Sequence, residues 1–175
     1  MIHHISVRVA LVVAVVSTIG CDRVTKHFAS AALAGGDVRS YLADTIRLEY
    51  VENTGGFLGL GANLPDAWRA TLFTVVTGVV LFAMVAVAAR SRWQGWLLIG
   101  VCLVLAGGAS NWVDRVVRGS VVDFMNVGVG PLRTGVFNVA DVAITLGVAV
   151  LVLTRLRPID TATTSARGPI MSRRD

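Results

Sequence analysis

Four aspartates in this 175-residue sequence sit in or beside long apolar runs: Asp22, Asp114, Asp123 and Asp141. A charged side chain at the centre of a bilayer costs about 2.5–3.5 kcal/mol on insertion scales, so carboxylates in such places have partners or a task. Spacing separates them. Asp22 precedes Lys26 by four residues, the favourable order for a helical ion pair. Asp114 is followed by Arg115 and, four residues on, by Arg118. Those cations keep both carboxylates ionised, and a structural or interfacial salt bridge is the simpler reading of each. Asp123, in Val121-Val122-Asp123-Phe124-Met125, has no basic residue within four positions. Asp141, in Val139-Ala140-Asp141-Val142-Ala143, has only Asn138 as a polar neighbour on its helical face. Two such carboxyls facing each other share a proton. The charged one then takes a proton from water and the other polarises a carbonyl. A transport or proton-relay carboxylate accounts for them equally well at this point.

Other residues could complete a site. Asn111, Asp114 and Arg115 share one helical face, where Asn111 could donate to a substrate carbonyl. Arg115 could hold an anion or pair with Asp114. Asn53 opens Asn53-Thr54-Gly55-Gly56-Phe57, which reads either as a structural turn or as the start of an apolar lid. That lid would run to Gly61 and carry Phe57, Leu58 and Leu60. Lys26 and Ser30, four apart, could form a Ser–Lys nucleophile, but Asp22 competes for Lys26 and no oxyanion motif is evident. The histidines His3, His4 and His27 and the cysteines Cys21 and Cys102 form no zinc-ligand pattern. No metal or cofactor is expected. The two cysteines fall at different depths of their spans, so no disulfide is expected.

The elements that must position these residues are transmembrane. Hydrophobic residues make up 54% of the chain and charged residues 15%, against about 45–50% and about 25% in soluble domains. The surplus falls into runs long enough to cross about 30 Å of hydrocarbon. Four spans are predicted at about 7–28, 70–89, 93–112 and 136–156, within one membrane domain covering 1–157. A disordered tail is predicted over 158–175. Eight of the 16 basic residues fall at the start, in the loop carrying Arg90 and Arg92, and in the tail, with only Asp160 and Asp175 as acids. The positive-inside rule then places both termini in the cytoplasm. Trp68 and Trp112 at outer ends, and Trp93 and Trp96 at an inner end, agree with interfacial placement. The net charge of +5 suits the inner membrane face, and no basic stripe interleaved with aromatics suggests a nucleic-acid partner.

The outer segments are then about 31–66 and 113–135. Ile46, Leu48 and Tyr50 alternate with Thr45, Arg47 and Glu49, the pattern of a half-buried strand. Residues 121–126 are expected to pair as a second short strand, and Asn63 and Pro65 resemble a helix start. The expected fold is therefore a mainly α membrane protein with a small β-containing segment on the periplasmic side. Arg8, the apolar run and Thr18-Ile19-Gly20-Cys21 also look like a lipoprotein signal. Cleavage at Cys21 would remove a needed span, so an uncleaved first helix is expected.

At these residues the sequence resembles the lipoprotein signal peptidase (signal peptidase II) family of bacterial inner-membrane aspartic peptidases, over about residues 8–157. Asp22-Arg23-Val24-Thr25-Lys26 is similar to the family's Asp-x-x-[Ser/Thr]-Lys block, and Asn53-Thr54-Gly55 to its Asn-x-Gly block. Asn111-Trp112-Val113-Asp114-Arg115, continuing through Gly119-Ser120-Val121-Val122-Asp123-Phe124, resembles its Asn-x-x-Asp-Arg-x-x-x-Gly-x-Val-x-Asp-Phe block. Phe137-Asn138-Val139-Ala140-Asp141 resembles its Phe-Asn-x-Ala-Asp block. The resemblance implies that Asp123 and Asp141 are the catalytic pair and that Asn53, Asn111, Arg115 and Asn138 line the site. Asp22, Lys26, Gly55, Asp114 and Ala140 would then support it. It further implies monomeric action on diacylglyceryl-modified prolipoproteins among membrane lipids, with the active site near the periplasmic face. Two departures are visible. Gly55-Gly56-Phe57-Leu58 stands where the family usually has Gly-Ala-Ala-Phe, and Ser110 stands where it often has Gly. The alternative, a small proton-coupled four-helix transporter using Asp141, leaves the outer strand-bearing loop and the second aspartate without a role.

Overall fold

The computed structural model describes residues 2–56, 61, 63–91, 93 and 95–156, with side chains from residue 11 onward. The expected lid residues Phe57, Leu58 and Leu60 and the expected disordered tail 158–175 lie outside the described residues.

Helix α1 spans Ile2–Leu33. Its buried residues Asp22, Lys26, Ala29 and Leu33 recur at helical spacing, while Val12, Val13, Val16, Val24 and Phe28 are exposed. This helix is polar toward the protein and apolar toward the outside, the reverse of a helix on a water-soluble domain. A continuous helix follows from Asp66 to Arg90, composed of α2 (Asp66–Ala70), a π-helical turn (Thr71–Val76) and α3 (Thr77–Arg90). It starts after Pro65 with Asp66 in its first turn, where a missing N–H and a negative charge are both tolerated or favoured. Helices α4 (Gly95–Arg118) and α5 (Val139–Leu156) complete the set. Among the described residues three helices are long and apolar enough to cross a membrane: Asp66–Arg90, α4 and α5. The expected first span lies within α1, whose C-terminal half also carries Asp22, Arg23 and Lys26.

Two of the boundaries that differ from expectation bear on the site. Helix α4 continues six residues beyond 112, to Arg118, and Gly119 closes it in a left-handed conformation (φ +74°) with its N–H on the Arg115 carbonyl. Helix α5 starts at Val139, not 136, because Thr134 and Phe137 are still hydrogen-bonded to the preceding strand.

Helices α4 and α5 make the tightest contact. A side chain at Gly107 would lie 2.3 Å from the Ala140 carbonyl oxygen, so only glycine permits this approach. Small residues at crossings are how membrane helices gain dispersion contacts when lipid is as apolar as the side chains.

At one end of the helices lies a four-stranded antiparallel sheet in the order β1 (Arg39–Tyr41), β2 (Ile46–Asn53), β3 (Val121–Val129), β4 (Leu132–Arg133). The expected strands at 45–50 and 121–126 are β2 and β3, paired with each other; β1 and β4 carried no clear sequence signal. The burial of β2 is not alternating: Ile46 through Val51 are all half-buried. A bulge between Leu48 and Val51 breaks the period, so that Val51 faces Asp123 and Asn53 faces Val121. The β1–β2 turn, Leu42-Ala43-Asp44, is left-handed at all three residues. Hydrogen bonds from Arg47 and Ser40 secure the Asp44 side chain, and hold its carboxyl well below the usual range.

Candidate active site

The interior beneath the sheet is polar. Among the described residues, those buried include Asp22, Lys26, Asn53, Asn111, Asp114, Asp123, Asn138 and Asp141, and Asp22 and Asn138 have no exposed surface at all. Elements far apart in sequence bring these side chains together, and each has hydrogen-bond partners as buried polar groups require.

Asn138 and Asp141 form a capping box at the start of α5. The Asp141 N–H donates to Asn138 Oδ1 (3.0 Å), and the Asn138 N–H donates to Asp141 Oδ2 (3.1 Å). The Ala140 N–H, also at this helix start, donates to Asp22 Oδ1 of α1 at 2.9 Å. With its oxygen occupied, Asn138 turns its amide Nδ2 to Asp123 Oδ1, at 2.6 Å. Asp123 is the third residue of β3, and its other oxygen accepts from Asn53 Nδ2 at 2.8 Å. Asn53 Oδ1 is itself held by the Gly55 N–H at 2.9 Å, and its Nδ2 also donates to the Gly56 carbonyl.

Asn111 follows the same pattern. Its Oδ1 accepts from Lys26 Nζ (2.8 Å) and Asn138 Nδ2 (3.2 Å), so its Nδ2 donates to Asp141 Oδ1 at 2.9 Å. Thus Asp123 and Asp141 are joined through Asn138, and no direct hydrogen bond links the two carboxyls among the described residues. The facing pair expected from sequence is therefore a bridged pair. Burial pushes the Asp123 carboxyl up to about 6; the nearby Asp141 charge adds to this, while hydrogen bonds from Asn53 and Asn138 and the charge of Lys26 oppose it.

Lys26 is the hub beside the pair. Its Nζ contacts Asp22 Oδ2 (2.7 Å), Asp114 Oδ2 (2.8 Å) and Asn111 Oδ1 (2.8 Å), which uses its three donors. The expected Asp22–Lys26 pair is present, but fully inside the protein and not at an interface. The expected partners of Asp114 are corrected. It is bound by Arg23 and Lys26 of α1, and not by Arg115 or Arg118. Adjacent helical positions diverge, so Asp114 faces α1 while Arg115 turns toward the loop after β2. There Arg115 Nη2 and Nε donate to the Gly55 carbonyl at 2.5 and 3.2 Å.

The Ser–Lys alternative loses its geometry. Ser30 Oγ donates to the Lys26 backbone carbonyl (2.9 Å), while the ammonium is engaged elsewhere. Cys21 and Cys102 are both free thiols. Among the described residues no three His, Cys, Asp or Glu side chains form a group able to hold a metal ion.

Arg23, Ser110 and Phe73 were not singled out as site residues by sequence. Arg23 binds Asp114 and reaches the Ser110 carbonyl, and Ser110 Oγ donates to Asp22 Oδ2 at 2.7 Å. The signal for Arg23 was a cation inside an apolar run, but its partner is 91 residues away. Phe73 had no signal beyond its hydrophobicity. It lines a cavity of about 230 Å³ beside Arg115, together with Thr54, Asp66, Arg69 and Thr74.

Apolar helices around a buried centre of carboxyls and amides define a class, the multi-pass membrane protein with a polar site at one end of its helices. This chain belongs to the signal peptidase II family, whose model, described as signal peptidase (SPase) II, matches residues 13–157. It is therefore a peptidase. It is 31% identical over 151 residues to the lipoprotein signal peptidase of Streptococcus pneumoniae, covering 86% of this chain and 94% of that one. It is 32% identical over 137 residues to that of Syntrophus aciditrophicus, covering 75% and 83%. A bacterial membrane enzyme solved in meso at 2.3 Å superposes with a TM-score of 0.73 at 24% identity, over 92% of this chain and 94% of that one. That likeness establishes the shared fold.

Proposed function

We propose that this protein is an intramembrane aspartic endopeptidase that removes the signal peptide from diacylglyceryl-modified prolipoproteins, cutting just before the lipidated cysteine. The observation that carries the reading is the joining of Asp123 and Asp141, from β3 and α5, through one buried asparagine. The pair shares one proton, so that one carboxyl is neutral and the other is the anion. The anion takes a proton from water as the water oxygen bonds to the scissile carbonyl carbon, and the neutral carboxyl gives its proton to the carbonyl oxygen. As the C–N bond breaks, the proton taken from water passes to the leaving nitrogen and the oxygen's proton returns to the carboxyl that gave it. Asn53, Asn111 and Asn138 orient the two carboxyls, while Arg115 fixes the loop beside them.

The chain spans the inner membrane four times, with both termini cytoplasmic, the site near the periplasmic face and one copy sufficient. Water reaches that depth, and acyl chains on the substrate anchor the scissile bond there at about 0.8 kcal/mol per buried CH₂. Use of Asp141 alone in a proton-coupled transporter gives Asp123 no role.

Cleavage of a diacylglyceryl-modified precursor by the purified protein tests this. Asp123→Asn and Asp141→Asn should each lower the rate by at least about 100-fold in folded protein, and the double variant should lose little more. Unmodified precursor should be cut far more slowly. Substantial activity in either variant overturns the pair, and equal rates on the two precursors overturn the lipid requirement.

A further inference from the structure

The loop after β2 supplies two main-chain groups to the site: the Gly55 carbonyl holds Arg115, and the Gly56 carbonyl shares Asn53 Nδ2 with Asp123. Besides these hydrogen bonds, the loop is backed by an aromatic ring. A side chain at Gly56 would lie 2.6 Å from Phe73 Cε1, and one at Gly61 would lie 3.0 Å from Phe73 Cε2 and Cζ. The ring is thus gripped on two edges by the two ends of the glycine-rich segment. The Arg115 guanidinium carbon lies 5.9 Å from its centroid, within cation–π range.

Phe73 is carried on the π-helical turn Thr71–Val76. That turn is tied to α4, because the Trp112 indole N–H donates to the Thr74 carbonyl at 2.7 Å. Gly78 leaves room for the same indole, since a side chain there would lie 2.8 Å from Trp112 Nε1. The ring is therefore referenced to the helix that also carries Asn111 and Arg115. Isolated π turns of this kind recur at functional sites, where they redirect single side chains.

We propose that Phe73 is a positioning residue for the peptidase centre, a wedge that sets the Gly55–Gly56 main chain so that Arg115 and Asn53 are held in their working places. This rests on the peptidase reading above. A methyl group at position 56 must push the ring or the loop away, and loss of the ring leaves the loop without its backing.

The test measures kcat, KM and the pH profile for Gly56→Ala, Phe73→Ala, Phe73→Leu and the Gly56→Ala/Phe73→Leu pair on the diacylglyceryl-modified precursor, with thermal stability read alongside. Gly56→Ala and Phe73→Ala should each lower kcat by about 10- to 100-fold with a smaller change in KM, because they misplace groups at the reacting centre. The Asn53 hydrogen bond holds the Asp123 carboxyl down, so loosening it should move the pH at which Asp123 loses its proton upward. Leucine has no ring edge at position 56, so the paired variant should recover most of the loss of Gly56→Ala. Wild-type kcat and pH profile in both Gly56→Ala and Phe73→Ala would overturn the proposal, as would a paired variant no better than Gly56→Ala. Should Gly56→Ala fail to fold, Phe73→Ala decides on the same two readouts. If Asp123→Asn still cleaves, the peptidase reading fails on its own and independently of these variants.

Discussion

Three asparagines meet the two central carboxyls, and in each the amide oxygen is already occupied. Gly55 N–H holds Asn53, Lys26 holds Asn111 and the Asp141 N–H holds Asn138. Each side-chain NH₂ is thereby turned toward a carboxyl, with Asn53 and Asn138 also donating to the Gly56 carbonyl and to Asn111 Oδ1. An asparagine in place of Asp123 would confront one of these donors with a second donor, at a cost of about 1–3 kcal/mol. The Asp123→Asn variant should thus be less stable than the near-identical size suggests. Its pH dependence is a separate prediction. The Asp123 carboxyl is raised from 3.8 to about 6, so its protonation contributes stability that is full below 3.8 and lost as pH rises through 6. The melting temperature of the wild type relative to Asp123→Asn should therefore fall between pH 3.8 and about 6 and level off above that. An unchanged difference would refute the raised carboxyl. Lys26 is a further case. Lys26→Met strands Asp22 and Asp114 without their shared cation, and should cost about 3–5 kcal/mol, read as lost folded yield and a lower melting temperature. Ser30→Ala should keep its peptidase activity, because that hydroxyl donates to the Lys26 backbone carbonyl and is not among the hydrogen-bond partners of Asp123 or Asp141.

Between elements, the site depends on how closely α4 and α5 approach and where β2 changes phase. Asn111 on α4 reaches Asp141 on α5 because Gly107 lets the two backbones touch at Ala140. In Gly107→Ala the added carbon would sit 2.3 Å from a main-chain oxygen, which has no flexible end to yield. The helices must separate, lengthening the Asn111–Asp141 hydrogen bond. Overpacking of this kind costs about 1–3 kcal/mol, and the peptidase rate should fall by more than the stability loss explains. Unchanged melting and cleavage would show that the crossing is looser than this. On the sheet, the bulge in β2 is what brings Asn53 diagonally across from Asp123. A strand in continuous register would put a different residue there.

Across the whole molecule, apolar side chains line the outside and the ion-pair network lies within. The Asp22–Lys26–Asp114–Arg23 cluster ties α1 to α4, and the Asp22 bond to the Ala140 N–H ties both to α5. In hydrocarbon such polar contacts have no water to compete with them, which suits them to joining helices. The proposed topology is checked by reporter fusions. One after Arg133, within the sheet end, should report the periplasm, and one after Arg90 should report the cytoplasm. A cytoplasmic signal from the Arg133 fusion would overturn the placement of the site.

Much of this was legible in the order of residues. Apolar run lengths located the three helices that can cross a membrane and the helix that holds the expected first span. Period-two patterning located β2, and β3 falls on the second short strand expected over 121–126. The absence of any local cation near Asp123 and Asp141 singled out the pair that the structure brings together through Asn138. These are properties of neighbours along the chain, which helix and strand geometry convert directly into faces. The true partners of Asp114 lie elsewhere in the chain, as do the Asp22 cap on α5 and the Phe73 wedge. Asp22 and Ala140 are 118 residues apart, and Arg23 and Asp114 are 91. Local spacing pointed Asp114 to Arg115, yet a neighbouring helical residue turns its side chain about 100° away. Which distant group fills the vacated direction is decided by the crossing of α1, α4 and α5 and the bulge in β2, because only tertiary packing sets the distances between residues that the chain itself leaves unrelated.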